Sequence, residues 1–411
     1  MTPTGVRAAA EHVARTSYGR LVALLAASTG DLALAEDALA AAFEQALTKW
    51  PSDGVPGNPE GWLLTVARNR QRDTWKSSSH RTSVPLESAT DGGFDAASPI
   101  DTLDFDAIGE KRLELLFVCA HPAIDPAVRT PLMLQTVLGL DAARIAAAFA
   151  IPTAAMAQRL VRAKKRIKEA RIPFIVPEQS VMPERLPAVL EAIYGCYAIA
   201  WPDQPGEVAD LTGEAQYLAV TLGALLPGEA EVWGLAALIT LSLARAPGRN
   251  GGFVPLGEQD TAVWDTGLIA EGESYLRRAT SEGGPGRFQL EAAIQAVHCD
   301  RARTQRTDWA ALRTLYAALV SVAPSLGARV ALAAVIGRVD SPEAGLAALD
   351  AMGAGPDSPA LKRFQPFHAA RAELLARSDR IRETAEEFKA AASLTGEPEV
   401  REYLLRRAAG R

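Results

Sequence analysis

The chain has 411 residues, 48% of them hydrophobic and 22% charged, with a formal net charge of −6. That balance excludes a largely disordered polypeptide and leaves room for two or three domains, each with its own core. Cys119, Cys196 and Cys299 are too few and too scattered for a disulfide framework. No apolar run is long enough to span a bilayer, and the opening MTPTGVRAAAEH lacks the blocks of a signal peptide, so a cytoplasmic protein without membrane contact is expected.

In chain order, Val13, Leu21, Leu24 and Leu25 give an apolar side that predicts a helix over about 8–27, and Gly30 breaks it. Asp31 then caps a second helix, DLALAEDALAAAFEQALTKW, whose buried face is read as Leu32, Leu39, Phe43, Ala46, Leu47 and Trp50. Residues 51–59, PSDGVPGNP, are too rich in Pro and Gly to be regular and lead into a third helix from about Glu60. Its Trp62, Leu63 and Val66 can pack inward. Arg68, Arg70, Arg72, Trp75 and Lys76 leave a face of cations and a ring, which suits single-stranded or melting DNA because bases stack on rings while cations hold phosphates. For Trp62 taken alone, core packing is the more economical reading.

Residues 82–110 contain no Lys or Arg and carry Glu87, Asp91, Asp95, Asp101, Asp104, Asp106 and Glu110 among Ser, Pro, Gly and Ala. Such a stretch reads as an acidic linker, because its charge opposes a polyanion. The segment KRLELLFVCAHPAIDPAVRTPLMLQTVLG supplies scaffold helices for the motif that follows.

That motif is GLDAARIAAAFAIPTAAMAQRLVRAKKRIKEAR, residues 139–171. A short helix over 142–149 ends near Ala150, Pro152 interrupts the hydrogen bonding, and a second helix starts at Thr153. Met156, Leu160, Ala163 and Ile167 recur at helical spacing, so they form one apolar stripe that must face partners. Arg159, Arg162 and Arg166 run beside the stripe, and Lys164, Lys165 and Lys168 cover the rest of the circumference. A helix of this width fits the major groove, where Thr153, Ala154, Ala157 and Gln158 would reach base edges and the later cations would meet phosphates. Between residues 141 and 171 eight Lys/Arg face Asp141 and Glu169, one basic island in an acidic chain.

Beyond Arg171 a Pro-rich passage, IPFIVPEQSVMPERLP, marks a boundary, and helical segments separated by Gly and Pro follow to the end. LYAALVSVAP and FHAARAELLARSDRIRETAEEFKAAASL resemble tetratricopeptide (TPR) pairs of roughly 34 residues, which stack into a concave surface for a protein or peptide partner. Cys119 with His121, and His298 with Cys299, lack the second pair of a closed zinc site. No P-loop, GxSxG or HExxH motif occurs, so neither catalysis nor a cofactor or metal is expected.

Residues 10–172 resemble a bacterial sigma factor of the extracytoplasmic-function (ECF) type in the sigma-70 family, which keeps two modules called region 2 and region 4. GDLALAEDALAAAF with WLLTVARNRQRDTWK is similar to region 2, and the helix-turn-helix at 139–171 to region 4. The resemblance implies an all-α chain: region 2 at 1–81, an acidic linker at 82–108, region 4 at 109–173 and a TPR-like helical domain at 174–411. It also implies core RNA polymerase and promoter DNA as partners. Asp37 and Phe43 would face polymerase, Trp62, Arg68, Asn69, Asp73 and Lys76 the −10 strand, and Thr153, Ala157, Gln158, Arg159, Arg162, Lys165 and Arg166 the −35 element. Ala40 and Ala41 depart from the Gln and Glu usual after Asp37. The competing readings are a stand-alone helix-turn-helix regulator and a TPR-type interaction scaffold with an incidental basic helix.

Overall fold

A computed structural model of the chain describes residues 3–79, 105–200, 208–249, 253–279 and 284–410. Among these residues the regular elements are all helical, as the sequence predicts. The chain divides into two compact units, Met1–Thr221 and Leu222–Arg411.

The first unit opens with α1 (Pro3–Thr29), α2 (Leu32–Asp53) and α3 (Pro59–Ser79), which pack on one another. Gly30 sits at φ 67°, a left-handed conformation that costs glycine little, and the Asp31 carboxylate accepts a hydrogen bond from the Leu34 amide at 3.1 Å to start α2. Leu25, Leu32, Leu39, Trp50 and Leu63 are fully buried at the centre. Two expectations for α2 need correction. Phe43 is only half-buried and Leu47 is 49% exposed, because α1 and α3 cover the Leu39, Ala42 and Ala46 side and leave the flank open. The helix also runs through Pro51 to Asp53, so the irregular loop is shorter than residues 51–59. A proline in the final turn removes one hydrogen bond there, and Gly54 at φ 84° ends the helix by donating to the Trp50 carbonyl at 3.0 Å.

The second cluster of this unit comprises α4 (Phe105–Cys119), α5 (Pro126–Thr136), α6 (Ala142–Ala148) and α7 (Thr153–Glu169). Helix α4 begins at Phe105, and residues 80–104, most of the stretch read as acidic linker, lie outside the described residues. Leu113, Leu116, Phe117, Leu132, Met133 and Ile145 are buried, and α7 packs on α5 and α6. Helix α8 (Met182–Ala200) packs on α5, with the Leu134 side chain within 3.8 Å of where a Cβ on Gly195 would stand, and α9 (Val208–Leu225) follows. Arg112 on α4, almost wholly buried, donates to the Glu214 carboxylate on α9 at 2.5 Å and stands 5.4 Å over the Tyr217 ring.

In the second unit α10 (Ala230–Leu243) is buried over nearly its whole length and is covered by α11 (Thr266–Arg278) and α12 (Arg287–Cys299). Trp233 stacks on Tyr275 at 5.6 Å, and the Glu231 carboxylate on α10 accepts from the Phe288 and Gln289 amides, capping α12 from outside. After the single turn α13 (Arg301–Thr304) come α14 (Trp309–Val322), α15 (Leu326–Val339), α16 (Pro342–Gly353), the short α17 (Ser358–Leu361), α18 (Gln365–Arg377), α19 (Ile381–Leu394) and α20 (Pro398–Ala408). Three successive pairs are α12 with α14, α15 with α16, and α18 with α19. The first helices of the pairs start at 287, 326 and 365, an interval of 39 residues rather than the roughly 34 predicted, since α13 and α17 lengthen the connections. Gly337 and Gly345 allow α15 and α16 to cross closely: a Cβ on Gly345 would lie 2.8 Å from the Ala333 carbonyl oxygen.

Candidate functional site

The α6–α7 pair is assembled from local rules. The Asp141 carboxylate accepts from the Ala143 and Arg144 amides at 2.8 Å and starts α6. Ala150, at φ 52°, turns the chain left-handed while the Ile151 amide returns to the Ala146 carbonyl at 2.9 Å, and Pro152 then sets the entry into α7. Met156, Leu160 and Ile167 are at most 1% exposed and Ala163 is 8% exposed, so the stripe read from spacing is the buried face.

Opposite that stripe Gln158, Arg162 and Lys165 are exposed, with Ala157 and Arg159 half-buried on the flanks, while Thr153 is exposed in the first turn beside the stripe. Arg162 Nε leans on the Gln158 carbonyl at 3.3 Å, and Lys165 pairs with Glu169 at 3.5 Å on an open surface, a contact worth at most a fraction of ~1 kcal/mol. Arg166 is exposed as well, with Nε 3.5 Å from the Ala123 carbonyl, which aims its guanidinium toward the loop after α4. Gln158, Arg162 and Lys165 therefore share the outer face, with Arg159 and Arg166 on one flank and Ala157 on the other. Lys164 and Lys168 do not belong to it. Lys164 Nζ sits 2.6 and 2.7 Å from the two oxygens of Glu36, and Lys168 is 2.7 Å from Asp31, both on the α2 side. Nothing in the spacing signals that pairing, since it joins residues more than 120 positions apart. Val161, 65% exposed amid these cations, is an apolar contact the sequence reading did not single out.

On the first cluster α2 and α3 flank an open groove of about 560 Å3, lined by Glu44, Thr48 and Lys49 on one side and Asn69, Arg70 and Asp73 on the other. The predicted Asn69 and Asp73 thus come together with Ala41 and with four α2 residues that were not predicted, Glu44, Gln45, Thr48 and Lys49. Arg68 is exposed but lies outside the groove's lining, as do Asp37, exposed, and Phe43. Trp62 is half-buried and meets Trp50 edge to face at 5.5 Å, so its ring serves packing as well as surface. Trp75 and Lys76 fall on α3, but their side chains lie outside the described residues.

The three thiols are buried and chemically quiet. Burial pushes Cys119 and Cys196 up to about 12 and Cys299 up to about 11, so little thiolate exists near neutrality. Among the described residues no group of three or more His, Cys, Asp or Glu is placed to hold a metal ion, and no helix is long and apolar enough to cross a membrane.

Comparison with known families matches residues 13–81 to sigma-70 region 2 and residues 185–280 to a family of unknown function, DUF6596. An uncharacterized protein of Rhizobium meliloti (strain 1021) is 36% identical over 373 residues, covering 89% of this chain and 86% of that relative. A probable ECF RNA polymerase sigma factor, SigI of Mycobacterium tuberculosis, is 30% identical over 162 residues, which is 38% of this chain and 54% of the relative. No solved structure matches. The region 2 match covers the helices that form the groove, and the DUF6596 match begins within α8. The chain belongs to the ECF group of the sigma-70 family, and residues 185–280 of its C-terminal extension match DUF6596.

Proposed function

We propose that this chain binds core RNA polymerase in the cytoplasm and directs it to a specific promoter, with region 2 on the −10 element, α7 on the −35 element and the C-terminal helical domain modulating the output. The observation that carries the reading is α7: a buried apolar stripe holds the helix down while Gln158, Arg162 and Lys165 stand in solvent on the far side, in a chain whose residues 13–81 match sigma-70 region 2. Base-edge contact from the first turns would give selectivity, and the cations would supply affinity through phosphates. On region 2, Asn69 and Asp73 at the groove and the neighbouring Arg68 would meet the opened −10 strand, with Trp62 and Lys76 on the same helix. Extruding a base costs a few kcal/mol, which a prepared surface of this kind has to return. Asp37 and Phe43 on the outer part of α2 would face polymerase.

The deciding experiment is transcription in vitro with purified core enzyme over a genomic promoter library: specific start sites that depend on the chain are expected, and their complete absence would refute the reading. Ala40 and Ala41, short side chains on the side of α2 that carries Asp37, favour one competing reading, a regulator without polymerase contact. Co-purification with core enzyme at moderate salt separates the two, since only a sigma factor should be retained.

A further inference from the structure

The loop that joins α4 to α5 gathers arginines from three helices. Arg129 of α5 donates from Nε to the Ile124 carbonyl at 3.0 Å and from Nη2 to the Pro122 carbonyl at 3.4 Å, and Arg166 of α7 reaches the Ala123 carbonyl between them. Three consecutive carbonyls thus bring two guanidinium groups within roughly 10 Å of each other, since neighbouring residues stand ~3.8 Å apart. Arg185 of α8 lies within electrostatic reach of both Arg129 and His121 of the loop. Its Nε is shut off from solvent and has no hydrogen-bond partner among the described residues. None of the three arginines stands within ion-pair distance of a carboxylate among the described residues, whereas Arg20, Arg112 and Lys164 of the same unit are each paired. Burial disfavours the charged form of Arg185, and only the adjacent Glu184 acts the other way. Burial first, then Arg185 and Arg129, hold the His121 imidazole below its ordinary value against the same Glu184. Guanidinium groups massed without a counter-charge fit a phosphate, whose oxygens accept several charge-assisted hydrogen bonds at once.

We propose that Arg129, Arg166 and Arg185 form a seat for a backbone phosphate of duplex DNA, so that the C-terminal extension, through α8, touches DNA directly. Arg166 points to this occupant. It lies on the flank of α7 that also carries Arg159, about 10 Å away along the helix, so a duplex laid on the outer face of α7 passes its backbone beside this loop. Arg185 opens the segment matched to DUF6596, and the seat therefore joins that extension to the cluster that holds α7. The inference rests on the reading of α7 as a DNA-binding helix. It adds a contact outside α7 and gives the extension a part in affinity that is separate from any modulation of output.

The test is fluorescence anisotropy of the full chain on a short labelled duplex of arbitrary sequence at several salt concentrations. Arg129→Ala and Arg185→Ala should each lower the slope of log affinity against log salt by about one unit, and Arg185→Lys, which keeps the charge, should recover most of it. An unchanged slope in Arg185→Ala overturns the seat. Arg382→Ala removes an exposed cation of α19 and should leave the slope alone; a fall of the same size there would reduce the effect to bulk charge and overturn the seat as well. A second measurement needs no substitution in the seat. The ring resonances of His121 in the wild-type chain should titrate at higher pH when the duplex is bound, because a phosphate offsets Arg129 and Arg185 as Glu184 already does. A midpoint that the duplex does not move overturns the assignment, and one moved by inorganic phosphate alone would mark a small-anion site instead. Arg162→Ala on the same duplex reports on α7, and transcription in vitro decides the sigma-factor reading, so the seat and that reading can fail separately.

Discussion

Arg162 is exposed opposite the buried stripe of α7, with one long hydrogen bond to a carbonyl of its own helix. A cation held so loosely exchanges counterions with a phosphate at little cost, so Arg162→Ala should weaken promoter DNA binding on all sequences alike. The slope of log affinity against log salt should fall by about one unit. Fluorescence anisotropy at several salt concentrations measures it, and an unchanged slope would remove Arg162 from the interface. His298 behaves in the opposite sense, as a group that folding keeps neutral: burial first, then Arg245 and Arg301, push it down to about 3. Between the ordinary value near 6.5 and about 3 the unfolded chain binds a proton the folded chain refuses, so this contribution to stability is complete above pH ~6.5 and fades as pH falls. Denaturant unfolding at pH 7 and pH 4.5 should differ by roughly 2 kcal/mol more in wild type than in His298→Gln; equal differences would show that the imidazole titrates normally when folded.

Among elements, the pairing of α4 with α9 carries the sharpest consequence. Arg112 keeps its charge in the interior through Glu214 and the Tyr217 ring, and its remaining guanidinium nitrogens have no partner. Glu214→Ala leaves that charge uncompensated and should destabilise the first unit by about 2–4 kcal/mol, at the lower end because Glu214 keeps some solvent contact. Glu214→Gln, which keeps an acceptor oxygen, should cost less; urea titration of both variants orders them. Helix α8 matters in the same way, since it covers α5, and a chain ended near Arg171 would expose Leu134 and its neighbours. Ending the chain at Leu225 keeps α8 and α9. The shorter chain should therefore unfold at distinctly lower denaturant than the longer one, and equal midpoints would show that α8 contributes nothing to the helix-turn-helix module.

For the molecule as a whole, the functional role of the C-terminal helices has to be asked of a chain that ends at Leu225, not at the Pro-rich boundary after Arg171. The expected outcome is a changed amount of transcript from the same start sites in vitro; an unaltered amount would leave the extension a structural part only. The reading of that extension from sequence caught its helices but not their spacing, because the four-residue helices α13 and α17, too short to show a periodic stripe, lengthen the connections. Helices α6 and α7 were legible from Pro152 and from the stripe of Met156, Leu160, Ala163 and Ile167, whereas the cap at Asp141 was not read. Phe43 and Leu47 were misplaced, since an apolar residue at the edge of a stripe is buried only if a neighbour reaches it.

The sequence by itself determined the helices, the cap at Asp31 and the apolar stripe of α7, because each depends on residues within a few turns of one another. Only the tertiary structure decided that Lys164 and Lys168 face Glu36 and Asp31, that Arg112 is held by Glu214, and that Gly19 touches Val137. Those contacts join positions about 100 residues apart or more. Periodicity carries no information about which distant charge or backbone a side chain will meet; that is settled when the elements pack.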